Sequence, residues 1–517
     1  MSKLRISMTL PGAISLGAYE GGALAAFLVA AKALGEDVVV VDSIAAASAG
    51  SITALLAARS LLRNADPVTL LTKAWVDLDS LEAMKTRSLD SPLSADALDE
   101  IARATVGPDG VPDGPATGMQ QQPILLSFAL ANLAGLTYTI PNIQAGTSVQ
   151  GSTNLDWYDV ALTSADDDKK YLDVAPYALA SGANAIGFPP RNLPRLADKD
   201  KYLAAGLQGF PPDGKFWYTD GGTINNEPIG RTIDLAQLID SGDDRRLHLL
   251  IHPDPGSPAD ATTGPWSGDS PQPSWTRTGT HAFGLSRSQS IYEDLRRLAK
   301  TNSYVEWSKS ITGAVESGVT NAIADLGLTQ EQGEALRSAL TAAATASLED
   351  VRQKQNQVAS DAGRLHGPRD PAGTTLEEVL SQLVGAATGL ERREPVTVEV
   401  VSPLLQLKDG QTPGDVLAGE FLFHFGGFLD VRFRENDFAL GYGNMQCWIE
   451  TELEKHLQGA GDLDAAKAAV AGRANPEWAN LELGKASIGT LSIAEKWEVS
   501  KLALHVAHVI ASDIHNG

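Results

Sequence analysis

Ser48 is the residue whose type and surroundings most clearly invite chemistry. It stands at the centre of Ala46-Ala47-Ser48-Ala49-Gly50, one residue removed from the Gly-x-Ser-x-Gly pattern that presents a serine hydroxyl at a sharp strand-to-helix turn. Such a turn strains the backbone, and bulky side chains two positions either side of the serine would collide. Ala46 replaces a glycine with only a methyl, and Gly50 keeps the other side open. A helix starting at the turn aims its free amides and positive dipole end at the place where an oxyanion forms during acyl transfer. The same small-x-Ser-x-Gly pattern also caps a helix in α/β proteins that do no chemistry. Its partners must decide between the two.

Two further stretches are candidates for those partners. Pro11-Gly12-Ala13-Ile14-Ser15-Leu16-Gly17 joins a predicted strand to a predicted helix, and a small-residue loop in that place offers amides to an anion, either a phosphate or a developing oxyanion. Gly12 and Gly17 lack the spacing of a dinucleotide fingerprint or a Walker loop, so nucleotide binding is the weaker choice. The loop also reads as a turn whose glycines only permit close packing. Asp220-Gly221-Gly222 ends the predicted strand Lys215 to Thr219, where α/β folds build active sites. Asp-Gly-Gly is equally a common turn.

The elements that must carry these residues alternate between strand and helix. Leu4 to Leu10 predicts a first strand, Ala23 to Leu34 an apolar helix, Val38 to Ile44 a β-branched buried strand, and Ser51 to Leu62 a helix. Ala74 to Met84 is a further expected helix, and residues 107 to 118 a turn-rich loop. Ile124 to Ile140 reads as a helix followed by a strand, in a buried core rather than at a lipid-facing entrance. Asp166 to Lys170 reads as a solvated turn, not a metal site. Leu247 to His252 predicts another strand. Residues 254 to 280 break regularity with Pro, Gly, Ser and Thr, and Ser286 to Leu390 changes to a helical composition. Val396 to Leu404 returns to a buried-strand pattern, so the α/β core is expected to be discontinuous. Phe421 to Trp448 reads as a helix-loop region held by ion pairs, and Ile493 to Ile514 as an amphipathic helix. His505 and His508 share a face there, where ordinary histidines are favoured over a zinc pair. The expected organisation is a core over 1–255, a connection over 256–285, a helical insertion over 286–395, a return to the core over 396–450 and C-terminal helices over 451–517.

Composition narrows the class. The 517 residues are 43% hydrophobic, and 41 basic against 64 acidic side chains give a net charge of −23. That balance argues against a nucleic-acid binder and against simple electrostatic docking on anionic lipid. Cys447 is the only cysteine, so neither an intrachain disulfide nor a cysteine-based zinc site can form. The opening residues read as a strand and not a signal peptide, and no apolar run approaches bilayer-spanning length, so a cytoplasmic protein in a reducing compartment is expected.

Taken in order, the loop, the serine elbow, the small-residue block Ala180 to Pro190 with Phe188-Pro189, and Asp220-Gly221-Gly222 resemble the patatin-like phospholipase family. The resemblance is clear over about the first 230 residues, with echoes near Val396 and in FRENDFALGYGN. It implies a three-layer α/β/α fold with a mainly parallel sheet, and a Ser-Asp dyad without a histidine. Ser48 would be the nucleophile and Asp220 the general base. Amides of Gly12, Ala13, Ile14 and Ala49 would form the oxyanion hole, supported by Ala46, Gly50, Gly17, Gly221 and Gly222. The implied activity is hydrolysis of lipid acyl esters with no cofactor or metal, on a lipid or other acyl-ester substrate, with transient contact at a membrane surface and no nucleic acid. The loop departs from the family at Ala13, Ile14 and Leu16, which motivates an alternative, a catalytically weak lipid-binding or assembly module. Ser15 adds a hydroxyl without an evident use. His252 is the residue to watch should a triad be claimed.

Overall fold

The computed structural model describes residues 3–77, 84, 91–142, 147–185, 187–204, 206–239, 245–254, 271–272, 274–361, 372–388, 396–422, 424–459, 461–481, 483 and 486–516. In chain order the elements are β1 (Leu4–Leu10), α1 (Gly17–Leu34), β2 (Val39–Ala46), α2 (Ala49–Leu62), α3 (Pro67–Trp75), α4 (Asp96–Val106), β3 (Ile124–Asn142), β4 (Thr147–Leu162), α5 (Asp168–Ser181), β5 (Arg191–Pro194), α6 (Lys199–Ala204), β6 (Leu207–Gln208), β7 (Lys215–Asp220), α7 (Ile229–Ile239) and β8 (Arg245–Ile251). They continue with α8 (Trp275–Asp325), α9 (Gln330–Asp361), α10 (Leu376–Thr388), β9 (Val398–Val401), α11 (Val431–Thr451), α12 (Leu453–Leu457), α13 (Leu463–Ala471), α14 (Pro476–Ala479) and α15 (Ile493–Asn516).

One mixed sheet in the order β5-β7-β3-β2-β1-β8-β9 forms the middle layer, with β4 and β6 also paired to β3. Strands β3, β2, β1, β8 and β9 run parallel, and β4, β6 and β7 add antiparallel pairing at β3. Helices α1, α2 and α5 pack together on one face, and α7 with α8 outside it covers the other. A parallel sheet covered on both faces buries both sides of its strands. Every residue of β1 and β2 is accordingly buried. The polar side chains this traps are paired: Asp42 accepts from Arg5 at 3.0 Å and from Arg246 at 2.7 and 2.9 Å, and Ser43 donates to Ser7 at 2.8 Å.

The sheet is discontinuous in sequence. β9 pairs in parallel with β8, His248 to Ile251 against Val398 to Val401, and α8, α9 and α10 lie between them in the chain. Helix α8 starts at Trp275, inside the span expected to be irregular, because no proline follows Pro273 to block intrahelical hydrogen bonds there.

Other expectations need correction. Ile124 to Asn142 is one 19-residue strand rather than a helix and a strand. A continuous apolar run fits either a buried helix or a buried strand, and β4, which the sequence reading left out, settles the matter by pairing with it antiparallel over most of its length. The helix expected over Ala74 to Met84 is instead α3, which starts at Pro67 because the Asp66 carboxylate caps the Thr69 amide at 2.8 Å; residues 78–83 lie outside the described residues. Asp167 is the N-cap of α5 and accepts from the Lys170 amide at 3.1 Å. The stretch Ile14–Leu34 is, by length and composition, apolar enough to cross a bilayer, contrary to the sequence reading, but 94% of its apolar window is buried inside the fold. It is the central core helix, and α11 crosses it.

Around α11, where ion pairs were expected, charged side chains also bond to the backbone. Asp437 accepts from the Ala418 and Gly419 amides at 2.7 and 2.9 Å, and Arg434 donates to the carbonyls of Gly427 at 2.7 Å and Val76 at 3.2 Å. Arg432 does pair with Asp430.

Candidate active site

Strand β2 ends at Ala46 and α2 begins at Ala49, so Ser48 sits on the turn between them. Its backbone is at φ 51°, ψ −128°, a region that costs a non-glycine residue about 1–3 kcal/mol. The small neighbours are needed for close approach. A Cβ on Gly50 would lie 2.3 Å from the Leu10 carbonyl oxygen and 2.6 Å from that of Pro11. Ala46 is fully buried in β2, and its methyl is accommodated there.

β7 carries Asp220 into the same place. It pairs antiparallel with β3, Leu130 opposite Asp220, and the Asp220 amide donates to the Ala183 carbonyl at 3.0 Å. The Ser48 hydroxyl donates to Asp220 Oδ2 at 3.0 Å across 172 residues of sequence. Both residues are 2% exposed. The carboxylate is oriented from its other side, where Oδ1 accepts from the Gly222 amide at 2.8 Å, while Asn184 Nδ2 lies 3.4 Å from Oδ2. Gly221 permits the turn, since a Cβ there would sit 2.0 Å from the Ala129 carbonyl oxygen.

The loop before α1 faces this pair. Ile14, Ser48 and Ala49 line one cavity, whose remaining wall is mainly apolar and includes Ile52, Trp75, Leu98, Ile101, Phe188 and Phe428. Gly12, expected among the oxyanion donors, has its amide turned instead to the Asn226 carbonyl oxygen at 3.1 Å. The amides of Ala13, Ile14 and Ala49 have no hydrogen-bond acceptor among the described residues. Ile14 adopts φ 54°, a left-handed conformation that glycine reaches without strain. The isoleucine thus occupies a backbone shape suited to glycine. Gly17 serves packing: a Cβ there would fall 2.4 Å from the Trp75 ring, whose Nε1 donates to Thr53 at 3.1 Å.

Several site residues escaped the sequence reading. The Ser48 amide donates to Ser181 Oγ at 2.8 Å, and Ser51 Oγ lies 2.9 Å from the same hydroxyl. Asn226 holds the loop from behind, its Nδ2 donating to the Gly12 carbonyl at 3.1 Å and to Glu227 at 2.5 Å. Ser181 and Asn184 lie in the small-residue block already singled out, so a polar residue among alanines was the available signal. Nothing local marks Asn226.

His252 lies at the end of β8, with Nε2 3.4 Å from Glu227 and Nδ1 accepting from the Asp254 amide at 3.1 Å. Its ring contacts are with these groups, not with Ser48 or Asp220. Among the described residues, Asp254, Glu420 and His424 are the one group of three potential ligands within 4.8 Å of one another. His505 and His508 belong to no such group there.

A serine hydroxyl on a strained turn, bonded to a carboxylate in a buried site beside an apolar cavity, is equipped for acyl transfer from an apolar ester. A search of curated proteins finds no match to the chain. Residues 8–233 match the family model described as patatin-like phospholipase. That span contains the end of β1, the 12–17 loop, the Ser48 turn and the Asp220 strand end, and it is over these residues that the chain is similar to the patatin-like phospholipase family.

Proposed function

We propose that this protein is a serine hydrolase of lipid carboxylic esters, of phospholipase A type, working through a Ser48-Asp220 dyad and an acyl-enzyme. The observation that carries the reading is the 3.0 Å bond from Ser48 Oγ to Asp220 Oδ2 between two buried side chains. Asp220 accepts the hydroxyl proton as Ser48 attacks the ester carbonyl, giving a tetrahedral oxyanion. Amides of Ala13, Ile14 and Ala49 receive the developing charge, aided by the N-terminal end of α2. Collapse of the intermediate expels the alcohol, which takes the proton from Asp220. Water, deprotonated by the same carboxylate, then releases the fatty acid. The apolar wall beside Ser48 suits the acyl chain.

The test is labelling with a fluorophosphonate probe together with hydrolysis of p-nitrophenyl esters. Wild type is expected to be labelled at Ser48, Ser48→Ala not at all, and Asp220→Asn about 10²–10⁴-fold more slowly, the usual range for losing a general base. Equal hydrolysis by all three proteins overturns the reading. The strained, left-handed Ile14 favours a second reading, a lipid-binding module with little turnover. Lipid binding without labelling at Ser48 would select it.

A further inference from the structure

We propose that Ser15 is a positioning residue that braces the oxyanion loop against a C-terminal segment far beyond residue 233. The loop must hold Ile14 at φ 54°, where an L-residue is strained and persists only when its surroundings fix it. Ser15, the next residue, is 1% exposed and is tied at two atoms. Its amide donates to the His424 carbonyl oxygen at 3.1 Å, its hydroxyl donates to the same oxygen, and its Oγ accepts from the Gly427 amide at 3.1 Å. Gly427 is required by the contact, because a Cβ there would fall 2.7 Å from Ser15 Oγ and 2.9 Å from Ser15 Cβ.

The receiving segment is itself anchored. Arg434, 3% exposed on α11, donates to the Gly427 carbonyl at 2.7 Å, and Asp437, fully buried one turn on, holds the Ala418 and Gly419 amides. Phe428 packs in the same apolar cluster as Ile14. The strained loop is therefore clamped between two fixed bodies: Asn226 grips Gly12 on one side, and the 424–427 backbone grips Ser15 on the other. Removing the Ser15 hydroxyl frees the loop to relax away from φ 54°, which turns the Ile14 amide from the oxyanion.

The role as a positioning residue rests on the Ser48 acyl-hydrolase reading, whereas the brace can be measured without activity. Ser15→Ala is expected to speed hydrogen-deuterium exchange in peptides covering 12–17 and 424–428 and to lower kcat about 10-fold or more, short of the ~10²–10³ for deleting a donor outright, with KM nearly unchanged. Gly427→Ala, acting from the other side of the contact, is expected to do the same. Ile14→Gly placed in Ser15→Ala is expected to recover much of the lost kcat, because glycine reaches φ 54° without the strain that the brace opposes; a merely structural serine would show no such rescue. Unchanged exchange in Ser15→Ala overturns the brace. Faster exchange with unchanged kcat, or loss without rescue by Ile14→Gly, overturns the positioning role. Wild type that fails to label at Ser48 overturns the hydrolase reading and the positioning role with it, and the exchange result then decides the brace alone.

Discussion

The backbone amide of Ser48 and the hydroxyl of Ser181 lie 2.8 Å apart, so the last turn of α5 fixes the strained elbow from beneath. Ser181 Oγ also meets Ser51 Oγ at 2.9 Å, joining the elbow, the first turn of α2 and the end of α5. Ser181→Ala leaves the Ser48 amide buried without a partner, at a cost of about 1–3 kcal/mol. Urea unfolding should register that loss, and kcat should fall roughly 10-fold as the hydroxyl loses its fixed direction. A variant with wild-type kcat would show that α2 alone holds the elbow.

Gly222 couples the carboxylate to the loop. A Cβ there would fall 2.6 Å from Asn226 Oδ1 and 3.1 Å from Asp220 Oδ1, while its amide orients that carboxylate. Gly222→Ala should therefore slow fluorophosphonate labelling at least about 10-fold, as expected when reacting groups are displaced by a fraction of an ångström. Far-ultraviolet circular dichroism should stay unchanged, since the site lies past the end of β7. Labelling at the wild-type rate would mean that Asp220 keeps its place without the Gly222 contact.

Helices α1 and α11 touch backbone to backbone. A Cβ on Gly441 would lie 2.0 Å from the Tyr19 carbonyl oxygen, and one on Gly22 would lie 1.9 Å from that of Phe438. Gly441→Ala must push the helices apart, at a cost of about 1–3 kcal/mol or more for overpacking. Thermal unfolding should show a clear drop in Tm even though the residue lies outside the matched domain. No drop would mean that α11 is only loosely docked.

Acid should weaken the fold through His248. Burial in β8, together with the nearby Arg246 guanidinium and against the pull of Asp42, lowers its pKa to about 3, and its Nδ1 is buried without a hydrogen-bond partner among the described residues. In the unfolded chain the ring takes a proton near pH 6.5, while the folded protein does not until about 3, so this stability is complete above 6.5 and falls with pH below it. The loss is at most about 1.4 kcal/mol per pH unit. The urea midpoint of His248→Gln should therefore fall less than that of wild type between pH 7 and pH 5. Parallel decline of the two proteins would rule His248 out as the group responsible.

The parts of the site legible in the sequence are those governed by short-range backbone sterics. The Ser48 elbow needs small residues at fixed offsets because Leu10 and Pro11 carbonyls press against Gly50, and Asp220 needs Gly221 because Ala129 lies against it; such requirements leave a local pattern. The strand at Lys215 to Asp220 and the return at β9 were legible for a similar reason, as short β-branched or aromatic runs bounded by breakers. Ile124 to Asn142 was not, because an apolar run fits either a buried helix or a strand until a partner appears, and its partner β4 is an amphiphilic stretch without a strong signal of its own.

The sequence by itself determined which side chains are candidates for chemistry and the tight turns that carry them. Tertiary structure alone decided what holds that shape. Ser15 carries no mark of its use, since a serine in a loop is ordinary until the His424 carbonyl and the Gly427 amide arrive against it from more than 400 residues away. The same is true of Gly12, whose amide looked available and is turned to Asn226. Hydrogen bonds formed across such distances depend on which surfaces the packed helices and sheet bring together, and no local spacing encodes that.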